Sequence, residues 1–131
     1  MRILTAAVAL GLAALPAASV AHHSFAVFFD PQKTVTVTGT VTQFRFTNPH
    51  GIVALDVTKP DGKVEKWRAE TNAPVILQRR GWTRESVKPG EVVTISGWPS
   101  RDGSPYIRLS EMRRADGTPI GTAPFGRQDQ S

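Results

Sequence analysis

The residues best suited to chemistry in this sequence are three histidines, two of which stand side by side as His22 and His23. They follow a stretch whose small residues Ser19 and Ala21 suit a signal peptidase, so we expect cleavage after Ala21. Cleavage there would make His22 the first residue of the mature chain. Its α-amino group, with an ordinary pKa of about 7.7–8, and its imidazole would then form a chelate ring. The new terminus would offer two nitrogen ligands to one metal ion.

The third histidine, His50, lies in the sequence Asn48-Pro49-His50-Gly51, which has the residue types of a turn between two strands. A nitrogen from His50 would complete a T of three nitrogens, the arrangement called a histidine brace. His23 is the alternative third ligand, although adjacent side chains in an extended segment point apart. Imidazole and amine nitrogens suit copper, and less closely zinc or nickel. The predicted metal ligands are therefore His22, His50 and His23.

Two other interpretations of the histidines stay open at this point. In the first, His22 and His23 are only polar residues after the cleavage site and bind no metal. In the second, a histidine serves as a pH sensor. His50 can simply hydrogen-bond a neighbouring group within its turn, or act as a general base.

An export signal is predicted at the start of the chain. Arg2 precedes an apolar run from Ile3 to Leu15, and Pro16 and small residues lead to Ala21. The run is too short and too rich in alanine for a membrane span. We therefore expect residues 1–21 to be a cleaved Sec-type signal peptide, residues 22–117 to be one domain with an N-terminal arm, and residues 118–131 to be a flexible tail. The expected location is periplasmic or secreted, with no membrane span after cleavage.

The first strand is predicted over residues 33–46, where valines alternate with threonines at a period of two. The phase of that alternation slips between Val41 and Phe44, and Gly39 lies inside the strand. A slip with an interior glycine predicts a bulge, which lets one strand serve two sides of a small barrel.

A hairpin is predicted next, with strands over residues 52–58 and 63–71 joined by Pro60-Asp61-Gly62. A three-residue loop pairs Leu55 with Trp67 and Val53 with Ala69, which places these four side chains on one face. The other face then pairs Asp56 with Lys66. A shift by one residue would place charged residues opposite the apolar ones, so this register is preferred.

A short helix from Ala73 to Arg80 follows, with Asn72 as its predicted cap and Gly81 at its end. Two more strands are predicted, over residues 91–98 and 106–112. Three strands, a helix and two strands, with a long first strand, predict an all-β protein with one short helix: a five-stranded OB-fold-like barrel. A β-sandwich of similar size is the alternative.

Other functional classes find less support. The chain has no Cys and none of the common nucleophile, zinc-protease, phosphate-loop or dinucleotide motifs, so a binding protein is favoured over an enzyme. Its 16 basic and 11 acidic residues are spread along the sequence. Stacking on exposed aromatic residues would suit single-stranded nucleic acid. We expect instead that most aromatic residues pack in the core and that nucleic acid is not a partner; the aromatic candidates are Trp67, Trp82, Trp98, Phe44, Phe46 and Tyr106.

Several segments together resemble a family of small exported bacterial proteins of unknown function. They are Ala21-His22-His23-Ser24-Phe25, Thr36-Val37-Thr38-Gly39-Thr40-Val41, Asn48-Pro49-His50, Trp67, Arg80-Gly81-Trp82, Lys88-Pro89-Gly90 and Arg101-Asp102-Gly103. The resemblance runs from His22 to about Gly117. It implies export and a small β-barrel, and it brings no activity and no site residues with it.

The sequence thus leads to two functional hypotheses. The first is a small periplasmic binding protein that holds a copper-like metal through His22, with His50 or His23 completing the site. The second is a metal-free OB-fold module that binds a partner protein or a small ligand in the cell envelope. A redox enzyme built on a histidine brace ranks after both.

Overall fold

Five strands and one short helix make up the part of the chain that the computed structural model describes, residues 25–122. The strands form a closed barrel in the order β1-β2-β3-β5-β4. The predicted all-β, OB-fold-like barrel is confirmed. The elements are a 3-10 turn at Phe25–Val27, β1 (Val35–Arg45), β2 (Ile52–Thr58), β3 (Val64–Glu70), α1 (Pro74–Arg79), β4 (Val92–Pro99) and β5 (Tyr106–Arg114).

The hairpin of β2 and β3 has the predicted register. Leu55 lies opposite Trp67 and Asp56 opposite Lys66, so one face of the hairpin pairs apolar residues and the other pairs opposite charges. The Lys59 amide donates to the Lys63 carbonyl at 2.8 Å, and Gly62 takes a positive φ of 82° in the turn. Few non-glycine residues adopt that backbone angle without strain.

Strand β1 is shared between two neighbours, as the slip in its alternation predicts. Its first half pairs with β4 and its second half with β2, and the register with β2 shifts between Val41 and Gln43. Gly39 lies at a close approach between β1 and β2: a Cβ there would be 2.7 Å from the carbonyl oxygen of Asp56. The glycine allows this contact, and the bulge lets β1 turn from one side of the barrel to the other.

The start of the helix differs from the prediction. The N-cap of α1 is Ala73, which makes no side-chain cap hydrogen bond, and Pro74 begins the helix. The predicted cap at Asn72 is wrong because that side chain has another partner: its Oδ1 accepts a hydrogen bond of 2.7 Å from the guanidinium of Arg108. A buried charged donor competes strongly for an amide oxygen.

The barrel interior is apolar and extends past the predicted domain boundary at residue 117. Ile120 is 5% exposed, and its amide donates to the Met112 carbonyl at 2.9 Å. Trp82 and Phe46 are buried as expected, and Trp67 packs half-buried against the core. Residues 123–131 of the predicted tail and the whole predicted signal peptide lie outside the described residues. Within residues 25–122, no helix is long and apolar enough to span a membrane.

Candidate functional site

An N-terminal segment, residues 25–30, lies against the outside of the barrel and is called the arm here. Phe29 forms an isolated β-bridge with Ser100. The Asp30 amide donates to the Pro99 carbonyl at 2.9 Å, and the Arg101 amide donates to the Phe28 carbonyl at 2.9 Å. Backbone hydrogen bonds therefore fix the arm beside the loop that joins β4 and β5.

Aromatic contacts fix the arm on its other side. The Phe25 ring covers the guanidinium of Arg108, with 3.9 Å between Cζ and the ring centroid. The same ring lies 4.9 Å from the His50 ring. Phe29 meets the ring of Tyr106 edge to face at 5.1 Å. The arm therefore places its first aromatic ring directly beside His50.

A cleft of about 570 Å³ lies between the arm and the barrel. One wall comes from Phe25 and the Val27–Phe29 segment of the arm, and the other from β3, the start of β5 and the 100–104 loop. Phe28 is 61% exposed, so an apolar surface faces solvent at the cleft. Strands two and three with the loops after strands one and four form the usual ligand face of an OB-fold, and much of the cleft lies there.

A chain of polar side chains crosses the cleft from His50. Its Nδ1 lies 2.7 Å from Glu70 Oε1, and the imidazole side chain is 34% exposed. The other oxygen of Glu70 accepts a hydrogen bond from the hydroxyl of Tyr106. Burial, followed by this hydrogen bond and the charge of Glu70, raises the pKa of Tyr106. Tyr106 therefore remains a protonated donor to Glu70 at neutral pH.

The partner of Nδ1 decides what His50 can do. A histidine that binds a metal ordinarily donates its second ring N–H to a carboxylate or a carbonyl, which orients the ring and makes the ligating nitrogen more basic. Glu70 stands in that position toward Nδ1, which leaves Nε2 as the nitrogen for a ligand. An imidazole nitrogen is one of the donors that copper accepts, and any further donors to the same ion would have to come from outside residues 25–122.

Charged residues on the barrel side of the cleft differ in what they contact. The Arg68 guanidinium lies over the Tyr106 ring at 4.5 Å, and Arg68 is exposed. Asp102 accepts hydrogen bonds from the Ser100 hydroxyl at 2.6 Å and the Ser104 amide at 2.9 Å. Those hydrogen bonds lower the pKa of Asp102 to about 2, so it is ionised and already bound within its own loop.

The three predicted metal ligands have different outcomes. His50 lies in the cleft, next to the arm. His22 and His23 lie outside the described residues. Among residues 25–122, no three His, Cys, Asp or Glu side chains are grouped as a metal site. His50 as a metal ligand therefore stays a prediction that needs nitrogens from outside this range.

The sequence reasoning missed Glu70, Arg68 and Arg108. A signal for Glu70 was present, because the register that pairs Val53 with Ala69 also pairs Ile52 with Glu70. That register places Glu70 beside the turn that carries His50. For Arg108 no such signal exists, since it alternates with the buried Ile107 and Leu109 and is expected to face water.

Comparison with known proteins gives one family match. The model of a family of unknown function, DUF6152, matches residues 9–107. No curated protein matches the chain.

Solved structures with a similar fold share little sequence with this chain. A small single-stranded DNA-binding protein from Streptomyces coelicolor is 20% identical with a TM-score of 0.46, over 63% of this chain and 91% of that one. Rim1, a mitochondrial single-stranded DNA-binding protein from S. cerevisiae, is 13% identical with a TM-score of 0.48, over 63% and 94%. A ZRD-deleted mutant of TiaS in complex with agmatine is 17% identical with a TM-score of 0.41, over 70% and 24%.

Proposed function

The chain belongs to DUF6152, a family of unknown function, and from its own residues we propose that it is an exported protein that binds a copper-like metal ion. The proposed ligands are the α-amino group and imidazole of His22, with Nε2 of His50 or the imidazole of His23 completing the site. Zinc and nickel are the less favoured metals. The proposed location is the periplasm or the extracellular space.

The observation that carries this proposal is the contact of Phe25 with His50, 4.9 Å between ring centroids. Two residues, His23 and Ser24, separate His22 from Phe25. An extended chain spans at most about 3.6 Å per residue, so His22 is within about 11 Å of a residue that touches His50. Because its imidazole and amine belong to one residue, both are within reach of Nε2 of His50.

Glu70 supports the same proposal from the other side of His50. Its carboxylate holds Nδ1 at 2.7 Å and is itself held by the Tyr106 hydroxyl. Residues that orient a ligating histidine in this way typically contribute 10–100-fold, in order of magnitude, to metal affinity. We therefore expect Glu70→Ala to weaken copper binding by about tenfold while His50 is still present.

A copper titration of the protein purified after export of the whole chain tests the proposal. Intact mass establishes where the purified chain begins, and calorimetry with electron paramagnetic resonance gives the affinity and the number of nitrogen ligands. We expect one copper per chain. Loss of a ligand should cost more than loss of an orienting partner, so His22→Ala should weaken copper binding by at least about a hundredfold. His50→Ala should have the same effect when His50, and not His23, supplies the third nitrogen.

Two controls separate ligand loss from general damage. Insertion of one alanine between Ala21 and His22 keeps all three imidazoles and moves the amine away from His22, so it should also weaken binding. His23→Ala reports whether the third nitrogen comes from His23 or His50. If His22→Ala and His50→Ala both leave copper affinity unchanged, the proposed site is wrong.

The second candidate is a metal-free OB-fold module that binds a partner protein or a small ligand in the cell envelope. The cleft favours it, since a volume of about 570 Å³ falls within the range of small-molecule sites. An exported chain that starts at His22 and takes up no copper at any concentration tested would favour this module over the metal protein.

A further inference from the structure

The cleft between the arm and the barrel combines an apolar wall with the guanidinium group of Arg68, which forms no ion pair with any residue in the range 25–122. From this combination we infer that the cleft binds a flat apolar carboxylate, with Arg68 holding the carboxylate group. The inference deepens the second candidate function and rests on it, and it requires no metal ion.

The apolar wall is supplied by the arm. Val27 and Phe28 are among the large apolar side chains most exposed to solvent in residues 25–122, and both line the cleft. Phe25 and Phe29 continue the same wall toward His50 and Tyr106. Exposed apolar side chains that gather at a concave surface mark a binding site more often than single ones do. A flat apolar group would cover this surface from water.

The charged residues on the barrel side of the cleft differ in whether they already have a partner. Glu70 accepts from Tyr106 and holds His50, and Asp102 accepts from Ser100 and Ser104. Arg68 is the opposite case: within residues 25–122 its guanidinium stacks on Tyr106 and forms no ion pair. The acids of the cleft are engaged, whereas the N–H groups of Arg68 are available.

A guanidinium with available N–H groups favours a planar anion. Its donors form a rigid fork that matches the two oxygens of a carboxylate. Stacking on Tyr106 holds that fork in one plane, so less side-chain freedom is lost on binding. An amine would instead need an acid, and both acids of the cleft are engaged. The cleft therefore selects a carboxylate over a neutral or cationic molecule of the same shape.

Three naphthalene derivatives of one shape test the inference on the exported protein kept free of metal with EDTA. They are naphthoate, naphthalenemethanol and naphthylmethylamine, which differ in the charge of one substituent. Titrations followed by ¹⁵N NMR give each dissociation constant and the location of binding. We expect naphthoate to bind with a Kd of about 1 mM or tighter, with amide shifts in the arm and the 100–104 loop. The other two should bind at least about tenfold more weakly.

Matched variants test whether Arg68 is the residue that binds the carboxylate group. Arg68→Gln should weaken naphthoate binding by about tenfold and leave naphthalenemethanol unchanged. Arg79→Gln is the control: it removes an equal charge from an exposed residue at the end of α1, away from the cleft, and should change the Kd less than twofold. Phe28→Ala should weaken all three ligands alike.

The possible failures are distinguishable from one another. If naphthalenemethanol or naphthylmethylamine binds in the cleft as well as naphthoate, or Arg68→Gln and Arg79→Gln act alike, the carboxylate inference is overturned and a ligand-binding cleft survives. If none of the three shifts the arm, the inference fails, whereas the second candidate function is decided separately by whether the exported chain takes up copper. Binding of a thymidine oligonucleotide that depends on Arg68, without naphthoate binding, overturns the inference in favour of a nucleic-acid partner.

Discussion

Where strands β3 and β5 pair, one side faces the barrel interior and the other lies partly under the arm. On the inner side, Ala69 and Ile107 are fully buried among apolar residues of the barrel. On the outer side, Glu70, Tyr106 and Arg108 are polar, and the arm covers part of them through Phe25 and Phe29. The inner side is closed by neighbouring strands, whereas the outer side is covered only in part, by the arm.

The difference separates what stabilises the fold from what can bind a ligand. The inner side gains its stability from apolar area removed from water. The outer side contains polar groups whose burial is favourable only while each keeps its hydrogen-bond partner. A cleft with a histidine, an acid and an arginine can exist on that side because the arm shields it only in part. One substitution on each side tests how far the two sides differ, and a third substitution tests an exposed ion pair for comparison.

Ile107→Ala probes the inner side and should have the largest effect of the three. Ile107 is 0% exposed and belongs to the core cluster. Truncation of a buried isoleucine costs about 2–5 kcal/mol, through lost transfer energy and the cavity left behind. Urea unfolding followed by tryptophan fluorescence measures the loss. A cost below about 1 kcal/mol would mean that the interior rearranges to fill the space and is not closely packed.

Arg108→Ala probes the outer side at its most buried position, where Arg108 is 2% exposed. Its guanidinium donates to the Glu70 carbonyl at 2.9 Å and to Asn72 Oδ1 at 2.7 Å, and truncation leaves both acceptors without this donor. We expect a cost of about 1–3 kcal/mol, the usual penalty for buried polar groups that lose their partners, together with loosening of Phe25.

Urea unfolding reports the cost of Arg108→Ala, and NMR line widths of the Phe25 ring report whether the arm is released. Arg79→Ala is the control, since Arg79 is exposed and alanine suits a helix. If the two alanine variants are equally stable, the outer side does not contribute to the fold and the arm is not anchored through Arg108.

The inner side is also the side that the sequence predicts well. Alternation at a period of two identified β1, and the turn at residues 60–62 identified the hairpin of β2 and β3. The three-residue loop and the shared apolar face of Leu55 and Trp67 gave the correct register. These signals are local, because each depends on residues close together along the chain or across one turn. The OB-fold-like barrel was predicted from the long first strand and the position of the single helix.

The outer side was predictable only in part, since its burial comes from the arm. Alternation places Arg108 toward water, and nothing in its own strand indicates that Phe25, far away in sequence, will cover it. For the same reason Asn72 was assigned to a helix cap, although its partner is Arg108. His50 was identified because histidine is scarce, and its acid partner Glu70 was within reach of the predicted register.

Lys66→Gln probes a third kind of contact, on the hairpin surface, and should have the smallest effect. Lys66 Nζ lies 2.7 Å from Asp56 Oδ1, with the lysine side chain 76% exposed. Exposed ion pairs contribute about 0.2–1 kcal/mol and are screened by salt. A double-mutant cycle with Asp56→Asn, measured by urea unfolding at low and high salt, isolates the pair. We expect a coupling energy of at most about 1 kcal/mol that shrinks as salt rises. The register follows from the apolar face, because a shift by one residue would place charged residues opposite Leu55 and Val53. A coupling well above that value, unchanged by salt, would instead show that the ion pair itself holds the hairpin in place.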